Sequence, residues 1–124
     1  GLNIELTTGD QIRDFVYVED VADALVNAAS VPIAMGGTFN VCSGVGTSVK
    51  QVVSTIIDLL GVPANPLFGT RSSLPMDNRT LIGDPTRTRQ SLKWTAKTPL
   101  RMGLDKTIQW FRKYRSQYAI YSVG

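Results

Sequence analysis

A strand that passes directly into a capped helix is predicted at residues 13–25, which read Arg-Asp-Phe-Val-Tyr-Val-Glu-Asp-Val-Ala-Asp-Ala-Leu. The aromatic and β-branched side chains from Phe15 to Val18 favour a strand. Asp20 is a typical N-cap, and apolar residues with helical spacing follow it over residues 21–29. Arg13 therefore stands just ahead of an ordered element, an arrangement that can hold an anionic ligand.

A second strand and helix follow in the same order. Residues 38–42, Thr-Phe-Asn-Val-Cys, form a short apolar run between glycines, which is typical of a strand buried on both faces in a parallel sheet. Ser48 and Gln51 match a capping box, and the spacing of apolar residues from Val49 to Leu60 predicts an amphipathic helix that Gly61 ends. Strands that alternate with helices predict an α/β fold.

The remaining segments complete a single predicted domain over residues 1–124. Residues 2–18 read as a hairpin-like pair of strands around a glycine-aspartate turn. Residues 62–83 lack a sustained period and read as a long loop with one short strand. Two more helices are predicted over residues 84–92 and 99–116. The tail, residues 118–124, is compatible with a strand and equally with disorder. The total is a few strands and about four helices.

Composition excludes several classes of protein. The chain has 124 residues, of which 43% are hydrophobic and 19% charged, as expected for a soluble globular domain. No apolar run approaches the roughly 18 residues of a membrane span, and the first residues lack signal-peptide features, so a cytoplasmic location is expected. Because Cys42 is the sole cysteine and histidine is absent, disulfide frameworks, the usual zinc sites and histidine-based catalytic triads are excluded.

Charge is distributed unevenly. Residues 1–70 carry two basic residues against seven acidic ones, while residues 71–124 carry eleven basic residues against three acidic ones. The basic part could meet nucleic acid, anionic lipid, a phosphorylated small molecule or an acidic partner, or it could simply be a solvated helix face. Nucleic acid is the weakest of these interpretations, because the sequence contains no nucleic-acid recognition motif.

Four motifs in order carry a family resemblance that covers residues from about 4 to 113. Residues 13–20 match R-D-x-x-x-V-x-D, and residues 38–44 are similar to Y-N-V-x-S-G. Residues 83–94 are similar to a G-D-x-S-K segment leading to L-G-W, and a closing helix follows from Pro99. The chain thus resembles the C-terminal portion of an extended short-chain dehydrogenase/reductase, the NAD-dependent nucleotide-sugar epimerases, dehydratases and reductases. Details of the second and third motifs look most like the GDP-sugar dehydratase and 4-reductase branch.

The resemblance implies a substrate site. In the family, the arginine at the position of Arg13 contacts the pyrophosphate of the nucleotide sugar, and an acid at the position of Asp77 accepts from ribose hydroxyls. A second family arginine falls on Leu74, so Arg71 or Arg79 would have to replace it. The alternative interpretations are an ion pair between Arg13 and Asp10 or Asp14, and solvated loop arginines at the other two positions.

The resemblance also implies what this chain lacks. Family enzymes have a glycine-rich dinucleotide fingerprint and a Tyr-x-x-x-Lys pair, and neither is present in these 124 residues. The Gly44-Val45-Gly46 turn departs from the fingerprint, because Val49 occupies the third glycine position. We therefore expect a Rossmann-like C-terminal portion that binds a nucleotide sugar, has no catalytic residues, and binds no cofactor or metal alone, with NAD or NADP held by the intact enzyme.

Separation from the missing half has a further consequence. The strand predicted at residues 38–42 would lack its neighbours, which predicts homo-oligomer formation, a dimer or strand exchange, or pairing with the missing N-terminal half. The alternative function is a non-catalytic oligomeric protein-interaction module derived from a truncated enzyme. Of the other side chains, Asn40 is interpreted as a structural hydrogen-bonding group, Cys42 as a small core residue, and Trp94 and Trp110 as core residues.

Overall fold

The computed structural model describes residues 2–72 and 79–117 of the chain. Within them four helices and five short strands form an α/β structure, as predicted. In chain order the elements are β1 (Leu2–Leu6), β2 (Ile12–Asp14), α1 (Val18–Ser30), a 3-10 turn (Pro32–Ala34), β3 (Gly46–Ser48), α2 (Val49–Leu60), β4 (Ala64–Phe68), β5 (Thr80–Leu81), α3 (Thr86–Leu92) and α4 (Leu100–Lys113).

The strands belong to two small sheets. β1 pairs in parallel with β4, while β2 lies between β3, which runs antiparallel to it, and β5, which runs parallel. The predicted hairpin over residues 2–18 is therefore wrong, because β1 and β2 lie in different sheets. The intervening turn is bonded to the start of α2 instead: Gly9 accepts from the backbone N–H of Lys50 at 2.8 Å, and Gln11 accepts from that of Val49 at 3.0 Å.

Helix α1 begins at Val18, earlier than predicted, and Asp20 does not cap it. Its N-cap residue is Tyr17, whose side chain makes no capping hydrogen bond. Asp20 lies in the first turn, and its carboxylate accepts from Lys97 and Thr98, in the loop before α4. The first-turn position still suits an acidic residue, because the positive end of the helix dipole lies there.

Helix α2 follows the sequence prediction closely. The Ser48 side chain accepts from the backbone N–H of Gln51 at 3.1 Å, as the capping box requires. At the other end Gly61 adopts the left-handed conformation with φ 64° and donates its backbone N–H to the carbonyl of Ile57. Helix α3 ends at Leu92 as predicted, but it begins at Thr86, with Pro85 rather than Asp84 as its N-cap residue. The Asp84 side chain accepts from the backbone N–H of Thr86 at 2.9 Å.

Residues 38–42 are not a strand, because no neighbouring strand pairs with them among the described residues. Phe39 and Val41 nevertheless pack against the core, two residues apart, while Thr38 and Asn40 are exposed. The hydroxyl of Thr88 donates to the carbonyl of Asn40 at 2.6 Å and ties the segment to α3. The segment keeps the side-chain alternation of a strand but lacks the partner that a strand needs.

The core lies between α1, α3 and residues 38–42. Its buried centre consists of Ala24, Leu92 and Trp94, and partly buried hydrophobic residues surround it: Val16, Ala28, Val31, Ala34, Phe39, Val41 and Ala96. Trp94 is 3% exposed, which confirms its predicted place in the core. Trp110 is 45% exposed, so its predicted burial is wrong; its ring packs edge-on against Phe111 on the outside of α4.

Candidate functional site

Arg13 occupies the central residue of β2, the middle strand of its sheet. It pairs with Thr47 of β3 on one side and with Leu81 of β5 on the other. Its side chain is half-buried, and one terminal guanidinium nitrogen donates to the carbonyl of Ile12 at 2.9 Å. The sheet therefore fixes the backbone that carries this charge.

Asp14, the next residue, is held by donors from two distant segments. Its Oδ1 accepts from the backbone N–H of Ser43 at 2.9 Å and from the Ser43 hydroxyl at 2.5 Å. Its Oδ2 accepts from the backbone N–H groups of Gly44 at 2.9 Å and Gly83 at 3.3 Å. Burial alone would raise the pKa of Asp14, but the hydrogen bonds outweigh it and the pKa is lowered. The carboxylate thus remains ionised at neutral pH.

The two acids considered as ion-pair partners for Arg13 are engaged by other groups. Asp14 accepts the four hydrogen bonds just described, and Asp10 forms an exposed ion pair with Lys50 at 3.4 Å. Side chains alternate between the two faces of a strand, so Arg13 and Asp14 project from opposite faces of β2. The carboxylates of Asp10 and Asp14 thus have hydrogen-bond or ion-pair partners of their own.

The other predicted site residues lie in three different places. Arg79 is next to β2, because its carbonyl accepts from the backbone N–H of Ile12 at 2.7 Å. Arg71 follows β4 instead, and its backbone N–H donates to Leu6 of β1 at 3.0 Å, in the other sheet. Both arginines are exposed. Asp77 lies outside the described residues.

The glycine-rich turn after residues 38–42 is filled by the chain itself. A Cβ added to Gly46 would lie 2.5 Å from the side chain of Ile82, and one added to Gly44 would lie 3.1 Å from Pro85. These glycines are therefore explained by close packing of this chain. The turn does not fit the pyrophosphate of a dinucleotide, which needs open space and free backbone N–H groups beside glycine.

Cys42 lies beside the Asp14 cluster, and it is buried, 7% exposed, as predicted for a core residue. Burial raises the pKa of its thiol, and the charges of Asp14 and Asp84 raise it further. The thiol therefore stays protonated and unreactive at neutral pH. Within residues 2–72 and 79–117, no cluster of three or more His, Cys, Asp or Glu side chains could hold a metal ion.

Two adjoining grooves lie beside the segment that joins β2 to α1. Their volumes are about 400 and 280 Å³, and both are lined by Phe15, Thr98, Pro99 and Leu100. Arg13 does not line either of them.

No helix in the described part of the chain is long and apolar enough to span a lipid bilayer.

The sequence did not reveal the role of Asp14. Its partners are Ser43, Gly44 and Gly83, which are 29 to 69 residues away along the chain. The signal lay in three separate motifs, each of which contributes one part of the cluster: the R-D pair, the S-G turn and the glycine of G-D. Only the fold brings them together.

Comparison with known proteins gives a consistent result. The family model for GDP-mannose 4,6 dehydratase matches residues 2–107. UDP-glucose 4-epimerase from Mycolicibacterium smegmatis is 36% identical over 104 residues, which are 84% of this chain and 32% of the relative. The chain therefore spans about a third of the length of this relative.

Solved structures agree. UDP-glucose 4-epimerase from Thermotoga maritima, solved with UDP-glucose, superimposes with a TM-score of 0.78 and 31% identity over 92% of this chain and 35% of that one. MoeE5, solved with UDP-glucuronic acid and NAD, gives a TM-score of 0.76 and 33% identity over 90% of this chain and 37% of that one. The similarity again covers about a third of each larger protein.

Proposed function

We propose a function from the premise that the chain belongs to the GDP-mannose 4,6-dehydratase family of extended short-chain dehydrogenases/reductases. In this proposal the chain is the nucleotide-sugar-binding portion of an NAD(P)-dependent epimerase, dehydratase or reductase. Related structures with UDP-glucose, or with UDP-glucuronic acid and NAD, support this substrate class. Neither the glycine-rich fingerprint nor the Tyr-x-x-x-Lys pair is present in these 124 residues. Alone, the portion binds its ligand without catalysis and without the dinucleotide. Nearness to the GDP-sugar branch stays a prediction, since the matching family model has a GDP-sugar name but the two epimerases described above have UDP-sugar names.

Arg13 contacts the diphosphate of the nucleotide sugar. The observation that carries this assignment is the position of Arg13 at the centre of β2, the middle strand of its sheet, within the R-D-x-x-x-V-x-D signature of residues 13–20. The guanidinium geometry suits a phosphate, because its N–H groups can donate to two oxygens at once. Each such charge-assisted bond contributes roughly 1.5–3 kcal/mol.

Arg79 is the better candidate for a second phosphate contact, and Arg71 the weaker one. Leu81 pairs with Arg13 across the β2–β5 ladder. When the alternation of side chains along β5 is continued back to residue 79, Arg79 falls on the face of Arg13. Arg71 follows the other sheet. Asp77 is proposed to accept from the ribose hydroxyls by resemblance alone.

In this proposal the chain binds and orients its ligand. Cations on β2 and beside β5 fix the diphosphate, and the sheet holds these cations at a set spacing. The sugar is thereby presented in one orientation to whatever part supplies the redox chemistry. Such positioning accounts for a large share of enzymatic rate enhancement.

Calorimetric titration of the chain with GDP-, UDP- and dTDP-sugars and with NADP tests the proposal. We expect heat of binding with at least one sugar nucleotide, none with NADP, and loss of the binding in Arg13→Ala. Arg101→Ala is the matched control, because Arg101, on α4, forms an exposed ion pair with Asp58 of α2 at 2.7 Å. Absence of heat with every sugar nucleotide, or equal weakening in both variants, would overturn the proposal.

A second function, that of a self-associating module, is favoured by an exposed apolar face on α1. Val18, Leu25 and Val26 are each 64–69% exposed, and Ile33 and Met35 beyond the helix are exposed as well. Residues 38–42 lie against the same core and lack a strand partner among the described residues. Unpaired strand-like segments and apolar patches favour association. Light scattering at increasing concentration should detect dimers, and a monodisperse monomer at high concentration would refute this function.

A further inference from the structure

We propose that Asp14 is the positioning residue for Arg13: its carboxylate locks β2 to two distant turns and thereby holds the guanidinium on the ligand-binding face. This inference rests on the proposed function, in which Arg13 contacts the ligand. Asp14, the second residue of the R-D pair, thus affects ligand binding by positioning Arg13, the first.

The ladders that hold β2 in its sheet are short. The strand is only three residues long, and β5 beside it only two, so the ladder supplies few hydrogen bonds. The Asp14 carboxylate adds four, from Ser43 and Gly44 on one side and from Gly83, just after β5, on the other. It thus fixes β2 relative to the segments on both of its flanks.

The anchoring of Asp14 also determines the direction of the Arg13 side chain. Successive side chains of a strand project to opposite faces, so anchoring Asp14 on one face directs Arg13 to the other. The anchoring of Asp14 thus orients Arg13 toward the face on which we place the anionic ligand.

The close fit around the cluster supports the same conclusion. A Cβ added to Gly83 would lie 2.5 Å from Cβ of Cys42, so the backbone of residue 83 approaches the Asp14 cluster as closely as packing allows. A side chain at this position would push the Gly83 N–H away from the carboxylate. The turn is therefore shaped to deliver that N–H.

The test compares variants of two hydrogen-bonded aspartates in the same signature. Asp14→Asn keeps the shape of the side chain but replaces one accepting oxygen by a donating NH₂ group. Asp20→Asn makes the same replacement at a second carboxylate. That carboxylate accepts three hydrogen bonds, from Lys97 and Thr98, and none of them involves β2. Both variants should lose stability, and only the first should release Arg13.

Two measurements separate positioning from stability. The ¹⁵N order parameter of Arg13 Nε should fall in Asp14→Asn and stay at the wild-type value in Asp20→Asn. Affinity for the sugar nucleotide that binds the wild-type chain should fall about tenfold in Asp14→Asn, equivalent to about 1.4 kcal/mol. If Asp14→Asn does not fold, Ser43→Ala, which removes the hydroxyl donor and leaves the three N–H donors, should show a smaller change in both measurements.

The outcomes are distinct for the two proposals. If the wild-type chain binds no sugar nucleotide, the proposed function fails, and the order parameter of Arg13 still decides whether Asp14 positions it. If Asp14→Asn folds and matches Asp20→Asn in both the order parameter and the affinity, Asp14 is only a structural residue and the inference is wrong. If Asp14→Asn does not fold and Ser43→Ala leaves both the order parameter and the affinity unchanged, the inference is also wrong.

Discussion

The carboxylate of Asp20 accepts a hydrogen bond from the backbone N–H of Thr98 at 2.8 Å, which ties the first turn of α1 to the loop before α4. The backbone N–H of Lys97 and the hydroxyl of Thr98 donate to the same carboxylate at 3.0 and 3.1 Å. Asp20 is only 5% exposed, so these groups largely replace its water. The signature aspartate that looks like a helix cap thus joins two helices that are distant in the sequence.

Removal of this carboxylate should destabilise the chain. We expect Asp20→Ala to lower the free energy of unfolding by about 2–3 kcal/mol, because donors of the 97–98 loop lose their acceptor. Urea denaturation measures the change. Asp23→Ala, at an exposed position of the same helix, is the matched control and should change the value by less than about 0.5 kcal/mol. Equal losses in the two variants would contradict the role of Asp20.

The same carboxylate should make stability depend on pH in the acid range. Burial acts to raise the pKa of Asp20, but the hydrogen bonds from Thr98 and Lys97 outweigh it and hold the pKa below the ordinary value of 3.8. A lowered pKa in the folded state stabilises the fold above the ordinary value, and this contribution is lost as the pH falls through the folded-state value.

The wild-type chain should therefore exceed Asp20→Asn in stability at neutral pH, and the difference should shrink as the pH falls below 3.8. Urea midpoints of both proteins from neutral pH downward measure it. A difference that stays constant through the acid range would show that the charge of Asp20 contributes nothing.

The two loop arginines should differ in their effect on ligand binding. Arg79 lies beside β2 and Arg71 follows the other sheet, so Arg79→Ala should weaken sugar-nucleotide affinity about tenfold, or about 1.4 kcal/mol. Arg71→Ala removes the same charge and serves as its control, with a change of less than about twofold expected. Calorimetry measures both affinities, and the reverse order would transfer the second phosphate contact to Arg71.

The loss of stability on replacing Gly61 should depend only on how readily the new residue adopts the left-handed backbone conformation. Its φ is 64°, and nothing lies within 4 Å of a Cβ built there. Gly61→Ala should therefore cost about 1 kcal/mol of unfolding free energy, and Gly61→Asn less, since asparagine adopts the left-handed conformation more readily. Thermal or urea denaturation distinguishes them. An alanine variant at least as stable as the asparagine variant would contradict the left-handed cap.

Fluorescence should report the opposite environments of the two tryptophans. Trp94 is buried in the core, whereas Trp110 is 45% exposed on α4. The variant Trp110→Phe should retain blue-shifted emission that iodide quenches poorly, while Trp94→Phe should retain red-shifted emission that iodide quenches readily. Similar quenching constants in the two variants would contradict the burial of Trp94 and the exposure of Trp110.

Local patterns predicted the helices well. The side-chain cap at Ser48 and the glycine stop at Gly61 both depend on residues within one or two turns, and both are present in the structure. The hydrogen bond from the backbone N–H of Thr86 to the Asp84 side chain, just ahead of α3, is another local contact. Such signals can be read from sequence because donor and acceptor are close along the chain.

Strand pairing and the site could not be read in this way. The alternation in residues 2–18 suggested a hairpin, but β1 pairs with β4, on the far side of α2. Arg13 was identified by its motif, whereas the anchoring of Asp14 depends on turns that the fold alone brings to it. Residues 38–42 carry the side-chain pattern of a strand, but a strand also needs a neighbour, which a pattern cannot supply.

The pairing of β1 with β4 also bears on the order in which the chain folds. Asn3 and Asn65 meet across this ladder although 62 residues separate them. Closing so long a loop costs entropy before any strand contact repays it. Helix α2, whose contacts are local, can form first and bring the two segments together, so the sheets should be late products of folding and helix α2 an early one.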